Sequence, residues 1–124
     1  MQNNSNLCSD SKEAHLKMLY AVHDIADNID GKIAKLNHSA GNNNQNLLET
    51  ERLENTKKEL HCKHIQLIKF SVMLPYEQEK VLEMRCEQGM SWKSIAAALH
   101  MGVATVKQMF SQTEAAAEQY GGIF

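Results

Sequence analysis

Apolar residues in this chain recur at helical spacing, and no run alternates as a half-buried strand would. Ser11, with Lys12, Glu13 and Ala14 behind it, reads as a helix start. From there Met18, Val22, Ile25, Ile29 and Leu36 follow at intervals of three, four or seven and form one stripe. Lys32 falls where the stripe should continue, and Ile33 beside it can fill the same face. The stretch NHSAGNNNQN, residues 37–46, has nothing to pack and is rich in residues that tolerate the left-handed region, so it predicts a loop. A second long helix follows over 47–72, with Leu53, Leu60, Leu67 and Leu74 one heptad apart and Thr56, Lys63 and Phe70 between them. Two such stripes joined by a polar loop fold most simply as an antiparallel hairpin. Ile65, Ile68, Val72 and Leu48 remain on a second face that needs cover, and a second protomer is the simplest source.

The C-terminal third has a different rhythm. After Pro75, Val81, Leu82 and Cys86 mark a helix that Gly89 stops, and Ser91 then caps a helix over 92–99 that buries Ile95, Ala96 and Leu99. His100, Met101 and Gly102 make a short turn, and a third helix starts near Val103 with Val106 and Phe110 inward. TEAAAEQ, residues 113–119, either extends that helix or packs as a separate turn. Gly121 and Gly122 end it, leaving Ile123 and Phe124 to dangle or to fill a groove.

In order, LP, VLEMR, GMSWKSIAAAL and TVKQ resemble the C-terminal promoter-reading domain of bacterial sigma factors, over about forty residues from Leu74 to Thr113. The resemblance implies a helix-turn-helix whose third helix enters the major groove. Lys107 and Gln108 match family positions that contact promoter DNA. Gly102 stands where the family usually has a Ser or Thr cap, and Val103 and Ala104 where it has polar contact residues. The wider layout, a polar helical region followed by one such head, resembles small phage regulators of the ArpU and RinA kind, activators of late phage genes.

At 124 residues the chain holds one modest domain or a small head on a helical arm. The expected organisation is a disordered N-terminus over 1–12, an arm over 13–73, the head over 74–120 and a tail over 121–124, all of it α-helical. No apolar run reaches the length of a membrane span, and three cysteines in unlike contexts do not make a disulfide framework, so a reduced cytoplasm of a bacterial host is expected. The net charge of −2 weakens the case for phosphate binding, although Asp24, Asp27, Asp30, Glu49, Glu51 and Glu54 all lie outside the head.

The candidate DNA-binding residues are Ser91, Trp92, Lys93, Val103, Ala104, Thr105, Lys107, Gln108 and Ser111. Ser91, Lys93 and the free amides at that helix start suit a phosphate. Trp92 either packs across the head or reaches a phosphate through its ring nitrogen, and Arg85 reaches a phosphate or a nearby Glu. Leu53, Leu60, Ile65, Leu67, Ile68 and Val72 are the candidate dimer or partner surface. His61, Cys62 and His64 have no second cluster at zinc-site spacing, so no metal is expected. No phosphate loop, nucleophile triad or paired carboxylate is present, so neither catalysis nor a cofactor is expected. The leading expectation is a phage-encoded, homodimeric regulator of transcription that binds double-stranded DNA. The alternative is an interaction protein that turns the same scaffold on a host protein, such as RNA polymerase or a defence nuclease.

Overall fold

The structure, a computed structural model, describes residues 4–38 and 44–124, with side chains described over 11–38 and 45–124. Among these residues six α-helices and one π-helical turn account for nearly all of the backbone, and no strand occurs: α1 (Asn4–Tyr20), α2 (Val22–His38), α3 (Asn44–Ser71), α4 (Tyr76–Leu82) with its π-helical continuation Glu83–Glu87, α5 (Trp92–Leu99) and α6 (Val103–Tyr120). The all-α class is as the periodicity requires. No described helix is long and apolar enough to cross a membrane.

The first stripe is divided at Ala21, where the amide is shared between the carbonyls of Lys17 (3.2 Å) and Met18 (3.0 Å). Helix α1 begins at Asn4, inside the stretch expected to be disordered, because adding turns to an anchored helix costs far less than nucleating one. Of the predicted loop, residues 39–43 lie outside the described residues, while Asn37 and His38 still belong to α2 and Asn44 already begins α3. Contacts then descend α3 as the chain ascends α1 and α2. His64 Nδ1 donates to the Leu19 carbonyl at 2.8 Å, His23 lies edge-on to the His61 and His64 rings, and Lys57 meets Asp30 at 2.8 Å. Cys62 is exposed, and no group of three or more His, Cys, Asp or Glu among the described residues is placed to hold a metal.

The expected boundary between arm and head at residue 74 is not a boundary in the core. Leu16 and Leu19 of α1 and Leu67 and Phe70 of α3 share one buried cluster with Val81, Leu82, Cys86, Ile95, Val106, Phe110 and Ala117 of the head. Leu16, Leu19 and Leu67 have no exposed surface. A head of three short helices has too little apolar area of its own, and α1 with the end of α3 completes it. Glu13 adds a polar tie, accepting from Arg85 Nε at 2.9 Å while Lys17 Nζ lies 2.9 Å from the same carboxylate. The tail closes the remaining gap: Ile123 is fully buried and its carbonyl accepts from His15 Nε2 at 2.7 Å. Gly121 and Gly122 both have positive φ, which makes the return possible.

Burial also fixes the chemistry of two core groups. It pushes the Cys86 thiol up to about 12, with nearby Glu13 adding to the effect. The Tyr20 hydroxyl is raised by burial and then by Cys86 and Glu83, and its oxygen is buried with no hydrogen-bond partner among the described residues.

The proposed partner surface is split by the same packing. Leu53 and Leu67 are buried within the chain and Leu60 is half-buried, because they are the seam that α3 turns toward α1 and α2. Ile65, Ile68 and Val72 stay exposed.

Candidate nucleic-acid interface

The head's surface is built from its turns. Gly89, at φ 67°, ends the first head helix in the left-handed region, as its position after the last apolar residue demands. The amides of Gln88 and Met90 reach back to Glu83 and Met84, which closes the π-helical turn. Ser91 then caps α5 with extended backbone, its Oγ accepting from the Ser94 amide at 3.1 Å and donating to Ser94 Oγ at 2.9 Å. Ser91, Lys93 and Ser94 are therefore exposed around a helix start whose first amides are open to an anion.

The turn into α6 closes as a Schellman motif with His100 in the left-handed position usually held by glycine (φ 58°). The Met101 amide bonds the Ala96 carbonyl at 2.9 Å, and the His100 amide bonds Ala97 at 3.3 Å. Gly102 precedes α6 in extended conformation with no side-chain cap, so the first amides of α6 also lack a partner from that side chain. Val106, Phe110, Thr113 and Ala117 face the core, and by helical geometry Ala104, Lys107, Gln108 and Ser111 lie together on the outside, with Thr105 beside them. All five are exposed.

Two of the sequence candidates support this surface rather than line it. Val103 is half-buried against the core, and Trp92 is held between Phe110 (ring centroids 5.3 Å, 68° between planes) and the Arg85 guanidinium, 4.1 Å over its ring. Arg85 also donates to the Met90 carbonyl at 3.0 Å and to Glu13, so it is committed to α1 and to the turn before α5 rather than to a phosphate. Lys80 lies 3.6 Å from Glu83 and 5.5 Å over the Tyr76 ring. Lys93 and Lys107 supply the positive charge of the exposed face. Ser94 was not among the sequence candidates, although a Ser three residues after a Ser cap is the position whose amide that cap accepts from.

Two helices at a tight turn, the second with a polar outer strip and the first with an open capped start, are the parts of a helix-turn-helix. Residues 66–116 match the family model Sigma-70, region 4. The matched stretch begins in the last turns of α3, and Leu67 and Phe70 from those turns enter the head's core. That model describes a helix-turn-helix family. No curated protein and no solved structure matches the chain.

Proposed function

We propose that the protein is a sequence-specific, double-stranded-DNA-binding regulator of transcription, phage or prophage encoded and acting in the cytoplasm of a bacterial host. The observation that carries this reading is the strip Ala104, Thr105, Lys107, Gln108 and Ser111, exposed along the N-terminal half of α6 beside the capped start of α5. Gln108 offers a donor and an acceptor to a base edge, and Lys107 offers charge to a phosphate or a guanine. Ala104 adds apolar contact of the kind a thymine methyl accepts. Lys93, with Ser91 and the amides of α5, holds a second phosphate and fixes the angle of the head on the duplex. With two lysines on the face and a chain of net charge −2, nonspecific affinity is low and base contacts carry more of the discrimination.

The test is an electrophoretic shift of the full chain on its own upstream DNA at low and moderate salt, beside the double change Lys107→Ala with Gln108→Ala. The expected result is a specific complex that weakens as salt rises, with a log–log slope of about −0.9 per phosphate contact, and that the double change abolishes. A complex no tighter than on unrelated DNA refutes the reading. The exposed Val72, Met73 and Tyr76 favour a second reading, in which the head binds a host protein, RNA polymerase among the candidates. That complex would be nearly indifferent to salt.

A further inference from the structure

Along α3, one face is exposed from end to end. Leu47, Glu51, Glu54, Lys58, Cys62, Ile65 and Lys69 follow at steps of three and four and share that face, and Val72, just past the end of α3 with its amide still bonded to the Ile68 carbonyl, continues it, with Leu48 and Met73 at its margins. It lies opposite the seam of Leu53, Leu67 and Phe70 that α3 buries within the chain. Its most exposed apolar side chains stand at the two ends, Leu47 and Leu48 at the start (61% and 66% exposed) and Val72 and Met73 at the finish (67% and 72%), with Ile65 between them. Charge is divided toward the two ends, with Glu51 and Glu54 in the first half and Lys69 in the second, while Lys58 lies just before the middle. None of these four has an ion-pair partner among the described residues.

We infer that this face pairs with the same face of a second copy, the two α3 helices running antiparallel. Reversing one copy about a two-fold axis near residue 60 sets Leu48 against Val72 and Leu47 against Met73 at both ends. The same register sets Glu51 against Lys69 twice. A parallel pair would instead stack Glu51 on Glu51, Lys58 on Lys58 and Lys69 on Lys69, so charge selects the antiparallel direction. A two-fold axis needs one self-complementary patch, and a helix that is apolar at both ends and acidic then basic between them is such a patch. The strip from Leu47 to Val72 is about 38 Å long and one helix diameter, about 10 Å, wide. That covers on the order of 400 Å² on each copy, the size of a weak, reversible interface and not of an obligate one.

Sedimentation of the full chain from about 1 to 200 µM reads the association, with the exposed positions chosen so that circular dichroism stays unchanged. Glu51→Lys faces Lys69 with a like charge at two symmetric places, and it raises the dissociation constant on the order of ten-fold. Adding Lys69→Glu restores association in the antiparallel pair and not in a parallel one. Direction is read independently by Leu48→Cys with Val72→Cys in a chain carrying Cys8→Ser and Cys62→Ser. The two new thiols, one near the start of α3 and one just past its end, stand about 36 Å apart in one chain, so only a second copy can join them. A covalent dimer that needs both thiols supports the pairing. The proposal is overturned by a monomer throughout the range, by crosslinking through either thiol alone, or by a dimer that the charge changes leave untouched.

Discussion

Replacing Leu16 with Ala tests whether α1 belongs to the helix-turn-helix head or only precedes it. Leu16 has no exposed surface and sits in the cluster that contains Val81, Ile95 and Phe110. Removing three buried carbons at a site walled by three helices costs about 3 kcal/mol, the transfer loss plus the cavity left behind. At a urea dependence of about 1.5 kcal/mol per molar, the midpoint falls by about 2 M. The chain carries one tryptophan, and Trp92 is stacked with Arg85, which is bonded to Glu13 of α1. Its fluorescence therefore reports the head, while far-UV circular dichroism reports every helix. Both transitions should move together and by the same amount. If the Trp92 transition stays in place while the dichroism shifts, α1 is a separate unit and the shared core is wrong.

Alkaline pH provides a further prediction. Cys86 holds its proton up to about 12 in the folded chain against 9.0 when unfolded, and Tyr20 is also raised above its ordinary 10.0. Above pH 9 the unfolded chain loses protons that the folded one keeps, so this contribution to stability is complete below pH 9 and is lost as pH rises toward 12. The Cys86 part has a slope of about 1.4 kcal/mol per pH unit in that window, and Cys86→Ala should flatten it in urea titrations at pH 8 to 10.5. Tyr20→Phe removes a buried hydroxyl without a partner and should be neutral or stabilising by about 1 kcal/mol. Finally, His100→Gly relieves a left-handed residue that bears a Cβ and should raise stability by about 1 kcal/mol, read as a higher melting temperature. A loss there would mean that the His100 side chain contributes more to the turn than its backbone costs.

Local pattern was enough to read the head. Gly89, the Ser91 cap, the three-residue turn and the inward Ile95, Val106 and Phe110 are all set by interactions within a few residues, and the structure places each where its spacing requires. The exposed strip of α6 follows from the same periodicity. What the pattern lacked was tertiary. Leu16 and Leu19 lie just ahead of Val22 on the same run of apolar residues, so nothing in spacing distinguishes the part that covers the head from the part that lies along α3. Arg85 and Glu13 are 72 residues apart in sequence, and Ile123 meets His15 across 108, so neither tie leaves a local mark. Leu53 and Leu67 carried the heptad signal, yet a heptad does not say whether the seam is filled by the same chain or another.

Helix α3 is unbroken from Asn44 until Leu67 and Phe70 enter the head's core, so the head has no hinge where it meets the long helix. In an antiparallel pair about residue 60, the ends of the two α3 helices at Ser71 stand about 33 Å apart along the axis. That is close to one turn of B-DNA, the separation of half-sites read by a two-fold dimer. Such a helix is a ruler. Moving the two-fold axis by one residue changes the separation of the heads by about 3 Å, nearly the rise of one base pair, so the spacing of an operator would be recorded in the side chains that set how two helices align.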